Sequence, residues 1–329
     1  MNITDKNIKM WRTVGPRATY GLAIMELAKF EENLVVVTSD TSTSAGLDRF
    51  KKKYTDRYFD IGIAEQNTLG VSAGLASEGL ITFVSTFAPF QTMRCLEQIK
   101  VNLAYMKIPL NFVGLASGVN LGHLGYTHCC IEDIGVLRSL PNIIILSPCD
   151  SLEVAKSVFA AAKINSPVYI RLTGDNQTEQ IYEKDYDFQI GKSVKLMKGK
   201  EIAVIASGSM VGEAKIALEK LRTKNVNFAL FNFHTIKPID VDALKKIIKD
   251  FGLIITIEEH NIIGGLGSAV SEFIASSNTN IKQITLGIND HYDISGDYRT
   301  ILYKSELSSD KIYKKLVLEY RKYEKNKFR

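Results

Sequence analysis

No apolar run in this 329-residue chain approaches the roughly 20 residues that a bilayer-spanning helix needs. The opening Met1-Asn-Ile-Thr-Asp-Lys6 also lacks the apolar core of a secretory signal. No membrane role and a cytoplasmic location are therefore the expectations. Cysteine is scarce: Cys95, Cys129, Cys130 and Cys149 form neither a paired framework nor the Cys-x-x-Cys spacing of a zinc site. Free thiols packed as small side chains are expected. Charge of one sign is missing too. The 41 basic residues barely outnumber the 36 acidic ones, and much of the excess lies between Lys311 and Arg329. So small and local an excess is no nucleic-acid footprint.

What the chain does have is enough apolar material, 45% of its residues, for two separate cores. From Trp11 onward, helical periodicity alternates with short β-branched runs, the pattern of a parallel sheet covered by helices. Strands are expected at 34–38, 81–85, 110–115, 143–146 and 168–171, with helices at 16–30, 64–77, 90–105, 131–138 and 151–162. The stretch 174–200 is polar and aperiodic, with room for a hairpin. Alternation then resumes, with strands at 202–206, 228–231, 253–257 and 283–286 and helices at 210–223, 241–249, 267–275 and 309–322. The expected fold class is α/β, two domains that each carry a mostly parallel sheet with helices on both faces. They span residues 1–175 and 201–329, joined by a linker at 176–200.

Glu65 is the residue of greatest chemical interest. It follows Asp60-Ile-Gly-Ile-Ala and precedes the small-residue run Gly70-Val-Ser-Ala-Gly-Leu-Ala76. An acid at a helix start is favoured by the macrodipole, and nothing more is needed to explain it. Its small, apolar neighbours, with Gly62, Gly70 and Gly74 allowing close approach, also suit a carboxyl that shares a proton with a basic ring nitrogen.

Several segments, in order and correctly spaced, carry a resemblance. They are Phe59-Asp-Ile-Gly-Ile-Ala-Glu-Gln-Asn67, Val84-Ser-Thr-Phe-Ala-Pro-Phe90, Gly122-His-Leu-Gly-Tyr-Thr-His128 and Leu140-Pro-Asn-Ile-Ile-Ile-Leu-Ser-Pro-Cys-Asp150. The first domain resembles the pyrimidine-binding domain of transketolases and of the related deoxyxylulose-phosphate synthases. The likeness continues through Val204-Ile-Ala-Ser-Gly-Ser-Met210, Thr235-Ile-Lys-Pro-Ile-Asp240 and Ile257-Glu-Glu-His-Asn-Ile-Ile-Gly-Gly-Leu-Gly-Ser268, and so covers essentially the whole chain. In that family the glutamate matching Glu65 bonds N1′ of the aminopyrimidine of thiamine diphosphate. The imino tautomer this favours lets the 4′ nitrogen take the proton from C2.

By the same resemblance, Ile63, Phe87 and Phe90 contact the cofactor and Asp40 faces its thiazolium ring. Ser44 and His128 belong to the substrate channel, with His128 as the active-site histidine. His123 is a substrate-binding candidate, as a partial substitute for polar contacts that Leu124 and Ala116 do not supply. Arg17 and Arg171 resemble positions that hold a sugar phosphate, a role suited to guanidinium forks. Each has a plainer reading beside it: core aromatics, a turn-forming Asp and Ser, a structural histidine, or an arginine paired with an acid. His260 is read as structural. Gly264-Gly-Leu-Gly is only superficially like a dinucleotide loop, because it does not directly end a strand in a βαβ unit.

Two positions depart from the family pattern. Leu124 stands where an aspartate reads the donor hydroxyl, and Ala116 where a histidine binds phosphate, which points away from an ordinary phosphoketose. The Gly-Asp-Gly motif through which family members hold Mg²⁺ or Ca²⁺ on the diphosphate is missing as well. The resemblance therefore implies a split enzyme. An N-terminal diphosphate-binding subunit would bring the metal, in an α₂β₂ heterotetramer that moves a two-carbon ketol unit from a ketose to an aldehyde. A 2-oxo acid dehydrogenase β subunit, a deoxyxylulose-phosphate-synthase-like decarboxylase and a non-catalytic partner subunit are the alternatives.

Overall fold

A computed structural model describes residues 3–222, 228–292 and 295–327. In chain order its strands are β1 (Leu34–Thr38), β2 (Tyr58–Asp60), β3 (Ile81–Phe87), β4 (Asn111–Leu115), β5 (Ile144–Leu146), β6 (Val168–Arg171), β7 (Val194–Met197), β8 (Ile202–Ala206), β9 (Phe228–Asn232), β10 (Thr235–Lys237), β11 (Leu253–Asn261) and β12 (Lys282–Ile288). The first sheet has the order β10-β5-β6-β4-β3-β1-β2, parallel except for β10 against β5. The second has the order β12-β11-β8-β9-β7, parallel except for β7 against β9. Both sheets are covered by helices, so the two-domain α/β architecture is as expected.

Central strands lack polar alternation because both their faces are buried. β1 is buried at every position. Val37, Val84 and Phe112 pack into one core with Leu69, Ala73 and Leu103. Leu34, Val36, Phe83 and Val113 face the opposite core with Trp11, Tyr20 and Ile24. This is the period-two alternation of a strand applied to two helical layers.

The departures from expectation have local causes. Residues 16–30 were expected as one helix. The observed helix Asp5–Leu27 starts earlier, under a Thr4/Asn7 capping box, and is broken at Gly15 (φ 77°) just before Pro16. The expected helix 90–105 is split into Ala88–Thr92, Leu96–Gln98 and a π-helical turn Ile99–Tyr105. Thr92 Oγ1 bonds the Ala88 carbonyl at 2.7 Å, and such back-bonding competes with the helical ladder. β7 lies inside the stretch expected as a linker, and β10 crosses over to complete the first sheet. β2 and the helix Tyr298–Lys304, too short to show a period, were not expected. Thr223, the end of one expected helix, is outside the described residues.

A buried polar network joins the domains. Arg171 Nε donates to both Asp133 oxygens, at 3.0 and 2.8 Å, and Nη2 donates to the carbonyls of Glu259 (2.9 Å) and Cys130 (3.3 Å). Tyr169 adds its hydroxyl to Asp133 at 2.8 Å. The second domain's His260 accepts the Gly135 N–H at Nε2 (3.2 Å). Its Nδ1 lies 2.7 Å from the Asn261 carbonyl, so the ring proton belongs on Nδ1. Burial pulls the pKa of His260 down to about 4, against the opposing charge of Asp133. Buried His234 is held at about 4 for the same reason.

A lowered histidine pKa contributes stability that is present above the unfolded value of about 6.5 and lost as pH falls through the folded one. The share of stability that these two histidines contribute is therefore expected to fall between pH 6.5 and 4, while the buried carboxyls of Asp150 and Glu258, raised to about 7 by burial, act in the opposite direction. His260→Gln should flatten part of that fall, because protonation no longer removes the acceptor for Gly135. Circular dichroism melts across this range check it, and parallel curves for the two proteins would contradict it.

Candidate active site

The carboxyl ends of β1 to β4 open on one side of the first sheet, where α/β proteins place ligands. Just past β1, Asp40 takes a left-handed φ of 53°, and its N–H donates to Asp60 Oδ1 at 2.9 Å. The same oxygen accepts from Gly62 N–H at 3.1 Å. Asp60 thus ties together the turns after β1 and β2, and that tie sets up the helix start at Glu65. Ile63, on this turn, is 78% exposed.

Glu65 begins the helix Glu65–Ser77 and is 6% exposed. Its Oε2 receives Arg94 Nη1 at 2.8 Å. The Arg94 guanidinium also lies 4.2 Å from the centroid of the Phe90 ring. Phe90 meets Phe87 edge-on at 6.5 Å and His128 edge-on at 5.4 Å. Thr127 Oγ1 is 3.0 Å from His128 Nδ1. One contiguous strip therefore runs from a shielded carboxylate across an aromatic wall to an imidazole. The chemistry of this strip suits a planar heterocycle with a basic ring nitrogen, which would pack on the aromatic wall and present its nitrogen to the acid.

A second cluster includes His123, from the loop that also carries His128. Arg17 and His123 line a cleft of about 300 Å³ with Asn120, Asp175, Asn176 and Gln177. Partial burial lowers the pKa of Arg17. Ser44 is half-buried on the loop after β1, and this loop presses against the first helix. A Cβ at Gly46 would sit 3.1 Å from the Arg17 carbonyl oxygen. Leu124, next to His123 in the chain, is 48% exposed, whereas Ala116 is buried with φ 53°.

Arg171 is not in this site. It is 1% exposed at the domain interface, and its guanidinium is spent on Asp133 and two carbonyls, so the expected sugar-phosphate role is corrected to a structural one. Burial alone would lower its pKa, but the charge and hydrogen bonds of Asp133 outweigh this and raise it. All four cysteines are free and buried, and burial pushes the Cys95 and Cys129 thiols up to about 12. Among the described residues, no three His, Cys, Asp or Glu side chains gather to hold a metal.

The sequence reading passed over Arg94, Asp60 and Asp133. Arg94 left a trace, since it follows Phe90 by four residues, one helical turn. The two aspartates act through tertiary partners and left none.

Two family models match the chain: transketolase, pyrimidine binding domain, over residues 13–178, and transketolase, C-terminal domain, over 191–312. The chain belongs to the transketolase family. A putative transketolase C-terminal section of Methanocaldococcus jannaschii is 38% identical to it, over 94% of this chain and 97% of the relative. A subunit of the apulose-4-phosphate transketolase of Phocaeicola vulgatus is 36% identical, over 91% and 95%. A solved split gene transketolase, described as an inactive beta4 tetramer, superposes with a TM-score of 0.82 at 33% identity, over 91% and 96%. Within the family this chain is therefore a transketolase β-type subunit. The family is thiamine-dependent, and Glu65 with Phe87 and Phe90 fits the pyrimidine half of that cofactor.

Proposed function

We propose that this chain supplies the catalytic glutamate of a two-subunit transketolase that transfers a two-carbon ketol unit from a ketose to an aldehyde. The observation that carries the reading is the strip from Glu65 through Phe90 to His128. Bound thiamine diphosphate supplies the carbon nucleophile that such a transfer needs. Glu65 would hold the proton shared with the ring nitrogen N1′, Phe87 and Phe90 would line the pyrimidine, Ile63 would contact the cofactor from the turn after β2, and Asp40, after β1, would face the thiazolium ring. His128 orients the hydroxyls of the sugar, with Ser44 beside the channel. Arg17 and His123 place cationic and hydrogen-bonding groups where the far end of the sugar would lie.

The remainder of the site belongs to an N-terminal subunit that carries Gly-Asp-Gly and holds the diphosphate through Mg²⁺ or Ca²⁺, in an α₂β₂ assembly. Ile63, Val71 and Met93, exposed around Glu65, give that subunit an apolar face to cover. The split-gene relative, an inactive tetramer of β chains, agrees with a β chain that needs a partner. Exposed Leu124 and buried Ala116 take a carboxylate and a cation out of the channel, which favours a sugar other than the common phosphoketoses. The relative named for apulose-4-phosphate is in line with such a substrate.

The test is to co-purify the chain with a Gly-Asp-Gly subunit and assay thiamine-diphosphate-dependent ketol transfer over linear, branched and differently charged ketoses. Activity is expected only in the complex and only with cofactor and divalent metal. Failure of every such complex to bind the cofactor would overturn the proposal.

A further inference from the structure

The loop Gly118–His128, which carries His123, Leu124 and His128, belongs to the first domain but is gripped by the second. Glu259, from β11, is 1% exposed, and its carboxylate reaches across the interface. Oε1 accepts the Val119 N–H at 2.8 Å; Oε2 accepts the Tyr298 hydroxyl at 2.8 Å and the Ser209 hydroxyl. The approach is close enough to require glycine next door: at Gly118 (φ 72°) a Cβ would lie 2.2 Å from Glu259 Oε1.

The far side of the loop is held from the same domain. Gly296 N–H donates to the Gly122 carbonyl at 3.1 Å, and Tyr126 packs on Tyr292 with ring centroids 4.9 Å apart. A Cβ at Gly122 would strike Ile301 Cδ1 at 2.0 Å, and one at Gly125 would lie 2.9 Å from Ser295 Oγ. Within its own domain the loop is closed by the Gly118–Cys130 bridge. Three glycines that could otherwise move freely are thus fixed by walls from Glu259, Ser295 and Ile301.

We propose that Glu259, with Tyr298 behind it, is the positioning residue for the substrate side of the site, so that the C-terminal domain sets where His123, Leu124 and His128 stand. Glu259 touches no reacting atom on this account. It anchors the start of the loop, and the displacement it prevents would act on sugar recognition rather than on the strip around Glu65. A loop held less firmly orders only on binding, and that cost appears as weaker apparent affinity.

The inference rests on the ketol-transfer reading for its kinetic arm alone. Glu259→Gln keeps the shape and one acceptor oxygen, and Tyr298→Phe removes only a hydroxyl, with its bonds to Glu259 and Ser209, so both should fold. In the complex with the Gly-Asp-Gly subunit, KM for the ketose is expected to rise about tenfold in Glu259→Gln, with kcat and thiamine diphosphate affinity changed less than about threefold. Tyr298→Phe should give a smaller change of the same kind. Amide hydrogen exchange on the full chain should quicken across 119–128 and stay unchanged in β1, β3 and β4. Unchanged exchange in the loop would overturn the proposal even if no ketol transfer were found at all. Exchange that quickens equally in all three strands, or a parallel fall of kcat and cofactor affinity, would reduce Glu259 to a general stabiliser and overturn it as well.

Discussion

Glu65→Gln is expected to lower kcat of the assembled enzyme by about 1,000-fold while leaving the thermal midpoint of the chain nearly unchanged. The two halves of this outcome have separate causes. Gln keeps the size and helix-start position of Glu65 but cannot share a proton with a ring nitrogen, which on the proposed role would remove the acid that activates the cofactor. Stability is little affected because the ion pair that disappears has an exposed partner. Arg94 is 46% accessible, and an ion pair open to solvent on one side is worth only about 0–1 kcal/mol. Cofactor affinity, measured by calorimetry in the complex, should fall far less than kcat, since the aromatic wall of Phe87 and Phe90 remains. Residual turnover above about a tenth of wild type would remove Glu65 from its assigned role.

Much of this site was readable before the structure because its members sit on features that sequence expresses locally. Glu65 is preceded by a glycine-bearing turn and followed by helical small residues, and Phe87 closes a β-branched strand with Phe90 on the short helix that follows. The strands themselves announced their positions through uninterrupted apolar runs, and β1, β6 and β8 have the expected bounds.

What was not legible depends on partners far apart in the chain. Asp60 is written as an ordinary acid at the end of a three-residue strand. Its task of holding the backbone at Asp40 and Gly62 is set only when β2 pairs with β1. β10 has too few residues for any period to show, and it finds its place only when the second domain folds back on β5. Arg171 misled for the same reason. At the end of a strand an arginine points toward either a ligand or a neighbour, and the neighbour, Asp133, lies 38 residues away in sequence.

That ambiguity is settled by a measurement in which the two roles predict different things. Arg171→Met is expected to destabilise the chain by about 3–5 kcal/mol, because it leaves Asp133, wholly shielded from solvent, as an uncompensated buried carboxylate. It also removes the donor that satisfies the Glu259 carbonyl, so the loss falls on the contact between domains. Adding Asp133→Leu should restore a large part of the stability, since an apolar pair of similar volume carries no charge to desolvate. The recovery will be incomplete, because the Tyr169 hydroxyl then loses its acceptor. Denaturant unfolding of the two variants against the parent gives these differences directly. A substrate-phosphate role would show the opposite pattern: Arg171→Met would fold with parental stability and raise KM for phosphorylated sugars, and Asp133→Leu would rescue nothing.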